Sequence, residues 1–544
     1  MGEWEHKRIG DLLFDVCQRD PEKEAVVFTG KRLNYRDLLT RTKNVASGLL
    51  KLGMEKGDKV GVLCPNIPEW PLTELACMLI GSVCVPVNMM YRLTELEYTL
   101  RQADVKTLIM IERYMNADFL DMIYQICPEF KEGKAGELRS EKMPLLRNLI
   151  TLNDTPQKGM WSFRQLEKNL GERGLDENVL KGRMEQVTSD DIALIQYTSG
   201  TTAFPKGVML HHEGIIANSY WHFHRLKINS SDRIFSVFPF YHVGGSVSML
   251  IGTLNTGATL FMTERFDPLD AMKTIQDEKC TVMFGLDTMY LVMMGHPDYE
   301  AYDLSSLIKG TSSGNPEALK KIATSMGIKG LSNVYGLSEN SSLSTIGLPD
   351  DPIEKRCMLN GVAIPGTEIK IVDPDTRKTL PPGTTGEICL KGVSIMKGYY
   401  KKPKETAEAL DEEGWLSTGD LGRLDEKGYL QFLGRIKDSY RVGGENVSAL
   451  EIEEFLMQHA KVLRACAIGV PDQRLIEVGM VFIELQPGKD ATEEEMIEYC
   501  KGSIAPFKVP RYVKFTADFP MTGSGKIQKY VLRDQIIEEL ELSK

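Results

Sequence analysis

The run Tyr197-Thr198-Ser199-Gly200-Thr201-Thr202-Ala203-Phe204-Pro205-Lys206-Gly207 gathers four serine and threonine hydroxyls, two glycines and a lysine into one short stretch. Such a loop offers backbone N–H groups, O–H donors and one ammonium to a polyanion, which is what a triphosphate requires. The apolar residues just before it, 192–195, read as a buried strand. The loop therefore sits at a strand end, a favoured ligand position in α/β sheets. The plainer alternative is an ordinary Gly/Ser/Thr turn. A Walker loop is excluded, because the G-x-x-x-x-G-K-[ST] spacing is absent. Gly523-Ser524-Gly525-Lys526 fails the same pattern: Pro520 occupies the first glycine position and Ile527 follows the lysine.

Further blocks carry chemistry-bearing residues in a defined order. They are Pro239-Phe240-Tyr241-His242, Tyr335-Gly336-Leu337-Ser338-Glu339, Gly386-Glu387 and Ser417-Thr418-Gly419-Asp420. After these come Gly434-Arg435-Ile436-Lys437-Asp438, Gly443-Gly444-Glu445-Asn446 and Pro520-Met521-Thr522-Gly523-Ser524-Gly525-Lys526. In this order, and over nearly the whole chain, they resemble the adenylate-forming superfamily of acyl-CoA synthetases, luciferases and peptide-synthetase adenylation domains. Ala203 stands where that family usually has glycine, and Ser338 where threonine is commoner.

The resemblance implies a two-step reaction. A carboxylate attacks the α-phosphorus of ATP to give an acyl-adenylate and pyrophosphate, and a thiol then displaces AMP. By resemblance, Thr198, Ser199, Gly200, Thr201, Thr202 and Lys206 cradle the β/γ-phosphates. Glu339, with Thr198, holds Mg²⁺, a hard cation that usually takes one or two protein carboxylates beside phosphate oxygens. Tyr335 packs on adenine, and Gly314, Asn315, Pro316, Asn333 and Gly336 line the purine site. Ser338 reaches the α-phosphate. Asp420 accepts the ribose hydroxyls with Arg435 beside it.

Lys526 bridges the acid and the α-phosphate, offsetting charge that develops in the transition state. The catalytic set is therefore Lys526, Glu339, Thr198, Lys206 and His242, the histidine gating or orienting the acid. Gly443, Gly444 and Glu445 form the coenzyme A loop, where glycines let pantetheine run close to the backbone. Lys437 is the hinge about which a small domain swings between the two half-reactions. The expected cofactors are ATP, Mg²⁺ and coenzyme A.

The acyl pocket is assigned to His242, Val243, Gly244, Gly245, Ser312, Ser313, Gly336 and Leu337. Relatives that use acetate carry tryptophan where this chain has Gly336, so the glycines predict room for several carbons. The expected acid is a medium- or long-chain fatty acid, or a cyclic or aryl acid. Loading of a carrier protein, a luciferase-like oxygenase and an inactive nucleotide-binding scaffold are the alternatives; retention of Lys206, Glu339, Asp420, Arg435 and Lys526 together weighs against the last.

The elements that must position these residues follow from patterning. At 544 residues the chain exceeds one compact core. Helix and strand alternate to about residue 270, the mark of a mostly parallel sheet with flanking helices. Helical spacing covers 38–52, strands are expected at 59–64 and 105–111, and a helix starts near residue 69. Closely spaced turn signals make 361–433 a β-rich subdomain. The fold class is therefore α/β, with a large domain over 1–436 and a small α+β domain over 437–544.

The net charge of −11 argues against nucleic acid or an anionic membrane as main partner. The ten cysteines form no C-x-x-C pair and read as reduced thiols of a cytoplasmic enzyme. The most apolar segment, 75–87, is interrupted by Ser82 and Pro86 and too short for a membrane span. The expected partners are thus small molecules: the acid, ATP and coenzyme A. The oligomeric state is left open, a homodimer included.

Overall fold

The structure, a computed structural model, describes residues 4–168, 177–198, 205–442, 445–472, 474–501, 503–521 and 527–539. The chain separates into two compact units, Met1–Glu368 with Leu390–Leu416, and Ile369–Cys389 with Ser417–Lys544.

The first unit is built on two sheets. One has seven strands, in the order Lys206–His211, Ile192–Thr198, Val83–Pro86, Lys59–Leu63, Val105–Met110, Asn148–Thr151 and Met160–Ser162. Its pairings are parallel except for the antiparallel hairpin 192–198/206–211, which places Thr198 opposite Lys206. The other sheet has nine strands, parallel from 24–28 through 330–335 and closed by an antiparallel strand or pair at each edge. Its N-terminal member, Glu24–Phe28, pairs with Thr259–Met262, far away in sequence. That strand and its partner Lys31–Asn34 escaped the sequence reading.

Helix Glu69–Ile80 has buried residues at every position after the first and ends at Gly81 in the left-handed region (φ 71°). A helix apolar on all sides belongs inside a core, so 75–87 is an internal helix leading into the buried strand Val83–Pro86, as its interrupted pattern predicts. Helix Tyr35–Lys51 starts from Asn34, whose side chain accepts the Asp37 N–H while Asp37 returns the bond. No helix among the described residues is long and apolar enough to cross a membrane.

The predicted β-rich segment contains Thr367–Val372, Gly386–Gly392, Leu416–Leu424 and Leu430–Arg435, which form a four-stranded sheet. In the second unit the long hairpin Val462–Asp472/Ile476–Leu485 gains a parallel strand, Tyr512–Phe515. Its helices are Ala449–Met457, Glu493–Cys500 and Lys529–Glu539. The last is held by Lys529, whose ammonium lies 2.6 Å from the buried Glu453 carboxylate.

Candidate functional site

Two motifs of the first unit converge on a residue that neither of them contains. Tyr399 donates its hydroxyl to Glu339 Oε1 at 2.8 Å, and the Lys206 ammonium lies 4.2 Å over the centre of its ring. Its backbone bridges to Val208 on the 206–211 strand. Burial and the neighbouring carboxylate push the tyrosine's pKa upward, so it stays a donor. Lys206 and Thr198 flank the loop as paired residues, with the Thr198 hydroxyl 3.4 Å from the Lys206 carbonyl. Ser199, Gly200, Thr201 and Thr202 lie outside the described residues.

The segment carrying His242 is clamped by two side chains. Asn66 donates to the Phe238 carbonyl (3.0 Å) and accepts the Phe240 N–H (2.9 Å). Gln196, on the strand leading to Thr198, donates to the Tyr241 carbonyl at 2.7 Å. Trp70 stacks on Phe240 with ring centroids 6.0 Å apart. The His242 carbonyl in turn accepts the Gly245 and Ser246 N–H groups, starting a π-helix over Gly244–Ile251. Such wide turns concentrate at functional sites.

The glycines of this region have a different cause from the one expected. A Cβ on Gly336 would lie 1.7 Å from the Ser342 carbonyl oxygen, and one on Gly245 2.6 Å from the Pro239 carbonyl. Close backbone approach, not open space, requires glycine at both positions. The Ser341–Ser342 turn that approaches Gly336 is itself in the left-handed region, with φ 56° and 120°. It is tied by Ser342 to Ser248 and by Ser341 to the Ser394 carbonyl. Val243 and Leu337 are half-buried, while Ser312 is buried and its hydroxyl has no partner. Ser313 follows as an exposed residue.

Asn315 and Pro316 start helix Pro316–Ser325: the Asn315 side chain accepts the Ala318 N–H, and proline takes the first helical position. The Asn315 N–H goes to Asp287, whose carboxyl is raised by burial. A Cβ on Gly314 would strike that carboxylate at 2.2 Å. Asp287 thus shapes the 314–316 loop, and no spacing in the sequence marked it. Asn333, buried on strand Gly330–Tyr335, donates to the Cys357 carbonyl, and Tyr335 ends the same strand. Ser338 and Glu339 sit on the short 3₁₀ turn Ser338–Asn340.

Within the second unit, strand pairing sets Asp420 directly opposite Arg435, with Nε 3.5 Å from Oδ1. The block around Asp420 is braced by Glu387, which accepts the Gly419 N–H (2.9 Å) and pairs with Arg377. Gly386-Glu387 therefore supports the 417–420 turn. Lys437 lies in the 3₁₀ turn Ile436–Asp438. Glu445 starts a strand paired with Tyr440–Val442. Gly443, Gly444 and Lys526 lie outside the described residues.

A sequence profile of AMP-binding enzymes matches residues 13–400, and one of the AMP-binding enzyme C-terminal domain matches 451–526. The putative acyl-CoA synthetase YngI of Bacillus subtilis is 40% identical over the full length of both chains. The mitochondrial medium-chain acyl-CoA ligase ACSF2 of Danio rerio is 37% identical, covering 98% of this chain and 89% of its own. Among solved structures, the anthranilate CoA ligase AuaEII with anthranoyl-AMP superposes with a TM-score of 0.86 at 25% identity, over 99% of this chain and 98% of that one.

Proposed function

The chain belongs to the AMP-binding enzyme family, and from that premise we propose that this AMP-forming acid–CoA ligase activates a medium-chain fatty acid. The reading is carried by Tyr399, which brings the Lys206 cation and the Glu339 carboxylate from two separate motifs onto one ring. A cation for phosphate and a carboxylate for a metal, fixed beside the 198–206 loop, suit a nucleotide triphosphate. The medium-chain assignment is supported by the likeness to a medium-chain acyl-CoA ligase over nearly the whole chain.

Adenylation brings two anions together, so charge must be neutralised and the reactants held in line. Thr198, Ser199, Gly200, Thr201, Thr202 and Lys206 bind the β/γ-phosphates. Tyr335, Asn333 and the 314–316 loop take the purine, while Asp420 and Arg435 take the ribose. His242 orients the acid, whose chain runs past Val243, Ser312 and Leu337. Lys526 supplies positive charge at the α-phosphate.

The described residues hold no cluster of three or more His, Cys, Asp or Glu suited to a metal. A single carboxylate, Glu339 held by Tyr399, together with the Thr198 hydroxyl fits Mg²⁺, which fills its shell mainly with water and phosphate oxygens. When bound, Mg²⁺ neutralises phosphate charge. For the second step the part of the chain beyond Lys437 swings, withdrawing Lys526 and presenting the 443–445 loop to coenzyme A. All ten cysteines are unpaired, which suits a reducing compartment, and the cytoplasm is the reading we keep.

ATP–pyrophosphate exchange across straight-chain and aryl acids, followed by thioester formation with coenzyme A, tests this reading. The highest kcat/KM is expected at medium chain length. Acetate as the best acid, or a carrier protein as the only acceptor, overturns it.

A further inference from the structure

At the opposite end of the seven-stranded sheet from the 198–206 loop, the first residues of three parallel strands, Lys59, Val83 and Ile192, line a cavity of about 260 Å³. Met209 and Tyr400 complete its apolar wall, and the Lys56–Asp191 ion pair stands at its edge. The Lys59 ammonium projects over the Tyr400 ring, 4.8 Å from its centre.

Lys59 has no carboxylate partner, although three carboxylates lie nearby. Asp58 is taken by Lys106 at 2.6 Å, Asp191 by Lys56 at 2.7 Å and Asp104 by Lys401 at 2.5 Å. Tyr400 donates its hydroxyl to the same Asp104. Every neighbouring negative charge is thus matched by another cation, leaving Lys59 as one uncompensated positive charge beside an apolar cavity. Burial lowers its pKa, outweighing the opposing pull of Asp104 and Asp58, neither of which pairs with it directly.

We propose that this cavity is a second binding site, separate from the catalytic one, for a monocarboxylate with a short apolar body. The carboxylate meets Lys59, and the body lies against Val83, Ile192, Met209 and the face of Tyr400. Each part answers one feature: the negative charge compensates the ammonium, and the apolar portion covers the strand ends. The volume leaves room for an apolar chain of several carbons.

The site also touches the segment that carries Tyr399. Residues 397–400 are zipped onto strand Lys206–His211 by Lys397 to Met209, Met209 to Gly398 and Tyr400 to Gly207 hydrogen bonds. Successive residues therefore face different sites, Tyr400 the cavity and Tyr399 the Glu339 carboxylate.

Equilibrium dialysis of radiolabelled octanoate against the full chain, with no nucleotide present, tests the proposal independently of which acid the enzyme activates. The wild type is expected to bind one equivalent more than Lys59→Met, with Lys59→Arg retaining it and kcat/KM for adenylation unchanged in both. Equal stoichiometry in wild type and Lys59→Met overturns the site. A second measurement needs no variant: a water-soluble carbodiimide added to the octanoate complex should couple the acid to Lys59, read by peptide mass. Coupling that spares Lys59 and marks only other lysines overturns it as well.

Discussion

The 2.8 Å bond from the Tyr399 hydroxyl to Glu339 and the ring beneath Lys206 separate two contributions within one side chain. Tyr399→Phe keeps the ring and removes the hydroxyl. A hydrogen bond to a charged group contributes about 1.5–3 kcal/mol, so adenylation should slow by roughly ten-fold or more. The Mg²⁺ concentration for half-maximal exchange should rise as well. A variant with unchanged Mg²⁺ dependence would detach Tyr399 from the metal. At Gly336 the expectation is harsher. Its absent Cβ leaves space for the Ser342 carbonyl, which even alanine would meet at 1.7 Å. Gly336→Ala should therefore lower the thermal midpoint together with all activity, since overpacking costs typically 1–3 kcal/mol. If it narrows the acid range at full stability, the glycine serves the pocket after all.

Among the elements, helix Glu69–Ile80 holds a carboxyl deep in the core. Glu74 is fully buried, with Trp70 Nε1 on one oxygen at 2.9 Å and no partner on the other. Burial lifts its pKa from 4.5 to about 8. The folded chain therefore keeps a proton that the unfolded chain releases above pH ~4.5. Stability contributed here is complete below that value and declines as pH rises towards 8, by up to about 1.4 kcal/mol per unit. Glu74→Gln removes the titration. Its thermal midpoint should fall less than the wild type's between about pH 5 and pH 8, and parallel profiles would exclude Glu74 as the cause.

The same helix illustrates how much the sequence made legible. Its apolar run, interrupted by Ser82 and Pro86, predicted an internal helix passing into a strand, just as the periodicity of 38–52 predicted a helix and the alternation to residue 270 a mostly parallel sheet. Strand Glu24–Phe28 forms a short hairpin with Lys31–Asn34, but its place in the sheet depends on Thr259–Met262, more than 200 residues later, and local pattern carries no such information. Tyr399, Asn66 and Asp287 were missed for a related reason. Each acts through a contact made by the fold, on Glu339, on the Phe238–Phe240 backbone and on the Asn315 N–H. The glycines were legible as special positions, but composition could not distinguish an open pocket from a backbone pressed close.

For the molecule as a whole, the proposed swing predicts opposite defects in the two half-reactions. Lys526→Ala should abolish acyl-adenylate formation yet leave transfer from supplied acyl-adenylate to coenzyme A largely intact. Lys437→Pro, which locks φ near −65° in the turn Ile436–Asp438, should spare adenylation and slow thioester formation. Single-turnover assays of each half-reaction read both, and equal loss in both steps for either variant would remove the division of labour.

The second unit is assembled from two separated pieces, Ile369–Cys389 and Ser417–Lys544, with Leu390–Leu416 returning to the first. During synthesis, strand Gly386–Gly392 leaves the ribosome well before Leu416–Leu424 arrives to pair with it. At about 5–20 residues per second the wait lasts on the order of seconds, with a strand edge exposed. Nascent chains stalled in this interval should be the ones that chaperones capture and proteases clip.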